Sequence, residues 1–349
     1  MCLATNLRPI VLVTGGTGFV GSHCVRRLLE DGYRVKATVR DVTNEKKNAP
    51  IKELDGNRGR LELVQAELLD KGSWKEAVRG CTYVLHVASP FPLAQPKDPN
   101  EVIRPALEGT RNVLGAAVAD PGVKRVVLVS SCAAVYPGLG GSKAYFDESD
   151  WALTDLSKEG VTPYYASKTL AEREAWKMAE ETQKTGRNLE LATVCPGFIL
   201  GPALTKDFTS AEVVRQFLQG NMPVPGSLAY PVTDVRDVTD ALLRCMTAEA
   251  ARNRRYIVAS EKSISMIDLS RAINQELGRQ GYDLPTKLEK GLAEHELLLF
   301  NTRRREKELG MHTMIDYKAA ALAMAYSLIE SGLVNKTPEY KGVPAKYRA

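Results

Sequence analysis

The segment "VLVTGGTGFVGSHCVRRLLEDG", residues 11–32, constrains the fold more tightly than any other. A β-branched apolar run passes directly into Gly15, Gly18 and Gly21, and an amphipathic helical pattern follows at once. Gly15 allows a tight turn, Gly18 lets the backbone approach a pyrophosphate, and Gly21 permits close packing of helix on strand. The pyrophosphate would rest on the helix N-terminus, where unpaired N–H groups and the helix dipole favour anions. Three spaced glycines alone could equally be a structural turn. Here they follow a strand and open a helix, which is the context dinucleotide binding requires.

Apolar strand-like runs recur at 10–15, 34–40, 61–66, 83–88, 125–131 and 189–197. Segments of helical spacing lie between them, at 21–32, 73–80, 101–119 and 167–181. Strands apolar on both faces, alternating with helices, predict an α/β fold, a Rossmann-type doubly wound parallel sheet. After Gly197 the rhythm breaks into helix and Pro/Gly-rich loop, then a strand-helix pair at 230–246 and a strand at 255–260. The expected division is an NADP-binding domain of residues 1–197 and 230–260 with a smaller, mainly helical C-terminal substrate cap of 198–229 and 261–349.

A chain of 349 residues, 44% hydrophobic and 26% charged, can bury a large core. The net charge of +5 comes without a basic block, which argues against a nucleic-acid partner. Cys2, Cys24, Cys81, Cys132, Cys195 and Cys245 show no metal-site spacing, so reduced thiols and no metal are expected. No window approaches the ~18 apolar residues of a membrane span. The N-terminus enters a strand within about ten residues, leaving no room for a signal peptide. A cytoplasmic enzyme with no membrane partner is expected.

The second strand ends Thr38-Val39-Arg40-Asp41, followed by Lys46 and Lys47. Arg40 could stack on adenine and grip a 2′-phosphate, so NADP(H) is the expected cofactor; Asp41 could instead serve the ribose of NAD. The fifth strand ends in Ser130-Ser131, and "TPYYASK" (162–168) opens a later helix with Tyr164, Tyr165 and Lys168. Serine, tyrosine and lysine are what carbonyl reduction needs: a hydrogen bond to the carbonyl oxygen, a proton donor, and a cation that lowers the phenol's pKa. Residues three and four apart share a helical face, so either tyrosine could pair with Lys168. His86, in a buried strand without an acidic neighbour in sequence, reads as a core histidine. Cys132 could be a reactive thiol beside the serine, or a small buried side chain. Trp176 and Met178 read as core or interface.

Together the stretches "VTGGTGFVGSH", "ATVRD", "GCTYVLHVASP", "NEVIRPALEGTRNVL", "RVVLVSSCAAVY", "YYASKTLAEREAWK" and "PGFILGP" resemble the extended short-chain dehydrogenases/reductases, over roughly residues 9–240. The similar branch contains dihydroflavonol 4-reductase, cinnamoyl-CoA reductase and yeast-type methylglyoxal reductases. The resemblance implies a catalytic Ser131, Tyr164 and Lys168, the tyrosine being the one four residues before the lysine. It implies cofactor contacts at Gly15, Thr17, Gly18, Phe19, Val20 and Gly21; at Arg40 and Lys47 for the 2′-phosphate; and at Glu67 and Leu68 beside adenine. It further implies contacts at Val87, Ala88, Lys168, Pro196, Gly197 and Ile199, and at Ser210, which would serve equally as a helix N-cap. Phe91, Tyr136, Tyr164, Phe198 and Met222 would face the substrate.

The departures also carry information. Ala106 stands where many short-chain dehydrogenases carry a fourth catalytic residue, asparagine. Tyr136 replaces the asparagine with which dihydroflavonol reductases recognise substrate, and the cinnamoyl-CoA reductase signature is missing from "PYYASK". The resemblance therefore implies an NADPH-dependent aldehyde or ketone reductase, monomeric or homodimeric. The competing expectations are an NAD-dependent sterol or sugar-nucleotide dehydrogenase/epimerase, resting on Asp41, and a non-catalytic NADP sensor, for which a tuned phenol would have no use.

Overall fold

The structure is a computed structural model and describes residues 8–91, 96–136, 143–205, 211–221, 228–288 and 297–348. The first half alternates strictly: β1 (Ile10–Val13), α1 (Phe19–Glu30), β2 (Arg34–Val39), α2 (Glu45–Glu53), β3 (Leu61–Gln65), α3 (Lys71–Val78), β4 (Tyr83–His86), α4 (Asn100–Ala119) and β5 (Arg125–Val129). Then come β6 (Tyr145–Phe146), α5 (Pro163–Lys184), β7 (Glu190–Pro196), β8 (Phe198–Leu200), α6 (Ala211–Leu218), β9 (Ala229–Tyr230), β10 (Val232–Asp234), α7 (Val235–Thr247) and β11 (Arg254–Val258). The chain closes with β12 (Ile264–Ser265), α8 (Met266–Leu277), β13 (Leu299–Phe300), α9 (Arg303–Leu309) and α10 (Tyr317–Glu330).

Seven strands pair in the order β11-β7-β5-β4-β1-β2-β3, all parallel. The winding runs outward from β1 in one direction and from β4 in the other, the doubly wound arrangement that the alternating sequence predicts. Strand alternation shows why both faces are apolar. Val11 and Val13 join the core beneath α1 and α7, whereas Leu12 joins the core beneath α3, α4 and α5. β5 repeats the pattern, with Val127 and Val129 on one side and Val126 and Leu128 on the other.

Two local features differ from the sequence reading. Glu45–Glu53 is a helix despite Pro50, because Asn44 caps it by accepting the Lys47 N–H at 3.1 Å. Within 230–260, β11 joins the main sheet, but β10 pairs with β8 outside it. The C-terminal portion is mainly helical, as its composition suggests, with β12 and β13 pairing to β9 and β6. Among the described residues no helix is long and apolar enough to cross a membrane.

The turn after β1 is built as its glycines require. Gly15 has φ +68°, a conformation L side chains rarely adopt. A Cβ on Gly21 would overlap the Gly15 carbonyl, so this glycine sets how closely α1 lies against the turn. At Gly18 a Cβ would meet only the Gly15 oxygen, at 3.2 Å. Gly21→Ala should therefore cost about 1–3 kcal/mol of unfolding free energy through overpacking, and Gly18→Ala under about 1 kcal/mol. Chemical denaturation midpoints of the two variants check this; equal losses would contradict it.

Candidate active site

The C-terminal ends of β1, β4, β5 and β7 share one edge of the sheet, and the winding reverses between β1 and β4. Open α/β sheets place ligands at such a reversal. A cleft of about 1420 Å³ lies there, lined from the glycine turn through to Tyr164 and Lys168.

At one end, Gly15, Thr17, Gly18, Phe19 and Val20 line the cleft, with Gly21 packed beneath them. Gly18 is the N-cap of α1; no side chain caps the helix and its first turn has no acidic residue. The helix therefore presents uncapped donors to an anion, and the missing Cβ atoms leave room for one to approach. These residues fit a dinucleotide pyrophosphate. Thr14 joins β1 to β4: its hydroxyl accepts the N–H groups of Val87 and Ala88, each at 2.9 Å, and lies 3.0 Å from His86 Nδ1. Burial pushes the His86 imidazole down to about 3, so it stays neutral and can accept the remaining hydroxyl hydrogen. His86 is thus a satisfied core residue that shapes the loop bearing Val87 and Ala88. No spacing rule would have singled out Thr14.

Further along, Arg40, Lys47, Glu67 and Leu68 line the cleft. Arg40 is exposed, and among the described residues no side chain pairs with its guanidinium. Asp41 is otherwise engaged: Oδ1 accepts the Thr43 N–H at 2.8 Å and its hydroxyl at 2.6 Å, which holds the carboxyl below its ordinary pKa.

Thr162 caps α5 by accepting the Tyr165 N–H at 3.4 Å, and Pro163 follows in the first turn. Tyr164 and Tyr165 therefore sit in the first turn, with Lys168 one turn on. Ser131 follows β5 in extended conformation, its hydroxyl accepting the Ala133 N–H at 3.1 Å. The two tyrosines go different ways. Tyr164 shares the cleft wall with Ser131, whose hydroxyl favours the ionised phenol, whereas Tyr165 donates to the Tyr136 hydroxyl at 3.0 Å. Tyr136 itself packs against Phe146 and Phe300.

Burial is the largest influence on both the phenol and the amine. It pushes the Tyr164 phenol up to about 12, outweighing the opposite influence of the neighbouring Ser131 hydroxyl, and pushes Lys168 down to about 8. The reason is geometric: Lys168 Nζ lies 5.7 Å from the centroid of the Tyr164 ring, and desolvation of both groups dominates their charge coupling.

Phe91 meets Tyr164 edge-on at 5.1 Å. Pro196, Gly197, Phe198 and Ile199 also line the cleft. Ser210 and Met222 lie outside the described residues. Val213, Leu228, Tyr230 and Met266 line the cleft as well; nothing in their sequence context marks them, because they arrive from α6, β9 and α8 by tertiary packing. Ala106 is buried in α4, outside the cleft.

Behind the cleft lies a cluster that the sequence reading did not identify. Glu172, on α5 and with no solvent exposure, accepts bonds from Ser130 Oγ (2.6 Å), Thr193 Oγ1 (2.7 Å) and Trp176 Nε1 (3.3 Å). The Arg255 guanidinium meets it in bidentate fashion, through Nε at 2.8 Å and Nη2 at 3.0 Å. Burial alone would raise the Glu172 pKa, but Arg255 and the hydroxyls hold it below the ordinary value. Arg255 also donates to the carbonyls of Ala134, Glu148 and Asp150, and its guanidinium covers the Trp151 ring at 4.0 Å.

A glycine turn on a helix N-terminus, opening onto a Ser/Tyr/Lys group at the same sheet edge, defines the nucleotide-dependent dehydrogenase/reductase class. The chain belongs to the NAD dependent epimerase/dehydratase family, whose model matches residues 11–259. It is 42% identical over 257 residues to tetraketide alpha-pyrone reductase 1 of Arabidopsis thaliana, covering 72% of this chain and 76% of that one. To a cinnamoyl-CoA reductase of Medicago truncatula it is 39% identical over 259 residues, covering 73% and 77%. Among solved structures, the yeast methylglyoxal/isovaleraldehyde reductase complexed with NADPH superposes with a TM-score of 0.80 at 25% identity, over 93% of this chain and all of that one. Vestitone reductase from alfalfa gives 0.76 at 25% identity, over 94% and 100%.

Cys132 adjoins Ser131 but is 2% exposed, and burial pushes its thiol pKa far above the ordinary range. Its Sγ also donates to the Cys195 carbonyl at 3.3 Å. N-ethylmaleimide at pH 8 should therefore leave Cys132 unmodified in the folded protein and label it after unfolding, as peptide mass spectrometry would report. Labelling of Cys132 in the folded protein would contradict this account.

Proposed function

We propose that this chain reduces the carbonyl group of a small to medium, largely apolar aldehyde or ketone to an alcohol, using NADPH and Ser131, Tyr164 and Lys168. The observation that carries the reading is the convergence of Ser131, Tyr164 and Lys168 on the cleft that also holds the glycine turn, with Lys168 Nζ 5.7 Å from the centroid of the Tyr164 ring. Bound NADPH supplies the hydride that adds to the carbonyl carbon. Ser131 donates a hydrogen bond to the carbonyl oxygen, and the Tyr164 phenol transfers its proton to that oxygen. The Lys168 cation offsets the charge left on the phenolate, which recovers its proton from water. A phenol whose pKa lies near 12 is fully protonated at neutral pH, the state a proton donor needs. In this reading residues 1–197 and 230–260 form the dinucleotide domain, and 198–229 with 261–349 form the cap that contributes Val213, Leu228 and Met266 to the cleft.

The NADP preference rests on Arg40, which lines the cleft without a side-chain partner among the described residues, and on Asp41, whose carboxylate is engaged with Thr43 rather than free for a ribose diol. That same engagement removes the support for an NAD-dependent sterol or sugar-nucleotide enzyme. The similar tetraketide alpha-pyrone, cinnamoyl-CoA and methylglyoxal/isovaleraldehyde proteins are reductases, which favours turnover over a sensing role.

Two measurements test this. Against a carbonyl panel including methylglyoxal, aromatic aldehydes, diketones and a dihydroflavonol, Tyr164→Phe should lose roughly 10²–10⁴-fold in kcat. Tyr165→Phe should retain most of it, and the reverse order would assign the proton to the wrong tyrosine. Arg40→Ala should weaken NADPH binding by roughly tenfold or more, the scale of one charge-assisted contact, while NADH binding stays nearly unchanged; equal losses for both dinucleotides would remove the 2′-phosphate assignment.

A further inference from the structure

We propose that Glu172 and Arg255, neither of which lines the cleft, are positioning residues that lock the serine arm of the site to the helix bearing Tyr164 and Lys168. The inference rests on the reductase reading. Its argument is the way both ends of one short segment are tied to one ion pair. Ser130 Oγ donates to Glu172 at 2.6 Å, and the Ala134 carbonyl accepts from Arg255 Nη2 at 3.0 Å. Ser131 lies between these two anchors, its hydroxyl further held by the Ala133 N–H at 3.1 Å.

The other side of the lock is α5. Glu172 is four residues beyond Lys168 and eight beyond Tyr164, so all three lie along one face of the helix. Thr193 of β7 donates to Glu172 Oε1 at 2.7 Å, and Arg255 itself stands on β11, the edge strand that pairs with β7. Rotation or sliding of α5 against the β5 end would thus break several charge-assisted bonds at once, and the Ser131–Tyr164 spacing is fixed by the same contacts.

The pair also sets the field at Lys168. The groups facing this amine are Tyr164 and Glu172 from its own helix, Cys195 from β7 and His86 from β4. Burial keeps the Cys195 thiol protonated, with its pKa raised to about 12, and keeps His86 neutral. The Tyr164 phenol is neutral too. Glu172 is therefore the charged group in this set, and its carboxylate favours the ammonium form of Lys168 against desolvation.

The test compares Glu172→Gln, which keeps the volume and removes the charge, with Arg255→Lys, which keeps the charge and removes the bidentate fork and the arm to Ala134. In the chain without substrate, ¹⁵N NMR of the Lys168 amine should show its titration midpoint falling in Glu172→Gln, with NADPH Kd within about twofold of wild type. The kcat should fall roughly tenfold or more, and its alkaline limb should move to lower pH. Arg255→Lys should lose a similar factor in kcat with that limb in place. An unmoved Lys168 titration together with wild-type kcat would overturn the proposal. Should Glu172→Gln not fold, Arg255→Lys carries the test alone: normal NADPH binding with unchanged kcat overturns it. Because the titration needs no turnover, a wild-type chain inert toward every carbonyl would sink the reductase reading without deciding this one.

Discussion

A carboxylate with no solvent contact can persist as an anion only where its surroundings replace water, and Glu172 meets that condition in full. Removing an ion from water costs several kcal/mol even after relaxation, and deleting one partner of a buried pair typically costs about 3–5 kcal/mol. The arrangement is therefore all-or-none. Ser130, Thr193 and Arg255 must all arrive for the charge to be tolerated. Those three come from the end of β5, from β7 and from β11, so satisfying one carboxylate brings the end of the sheet and α5 into a single geometry.

One and two turns back along the same face of that helix, desolvation also shapes the chemistry. In water a phenol and an ammonium differ little in pKa. Here burial raises the first to about 12 and lowers the second to about 8, so as pH rises the Lys168 charge is lost well before the phenol ionises. Tyr164 and Ser131 line the same cleft, where one carbonyl oxygen could meet both hydroxyls. At the other end of the cleft, a helix start without a capping side chain keeps its donors available for a phosphate. Both ends therefore depend on groups left without ordinary partners.

Much of this was legible in the sequence because it is local. The glycine turn, the alternation of strands and helices, and the Tyr-x-x-x-Lys helix are written in consecutive residues, and the structure has them where the pattern predicts. Spacing left Tyr164 and Tyr165 equivalent; the contact that separates them, Tyr165 to Tyr136, joins residues 29 apart. Arg255 is 83 residues from Glu172, and Thr14 is 72 from His86, so neither pairing leaves a local signal. The depth of burial around Tyr164 and Lys168 was hidden for a related reason: sequence names the charge but not its surroundings, and burial is the largest influence on both groups. The β10–β8 pairing was likewise invisible, since a three-residue apolar run does not say which sheet it joins.

The account's central claim is that a protonated Tyr164 beside a cationic Lys168 delivers the proton during carbonyl reduction. The pH dependence of kcat for NADPH-driven reduction tests it most directly. The rate should be level through neutral pH and fall as pH rises through about 8, where Lys168 loses its charge while the phenol is still protonated, and Lys168→Arg should move the fall to higher pH among whatever turnover it retains. A rate that stays level to pH 10 in the wild type would contradict the claim.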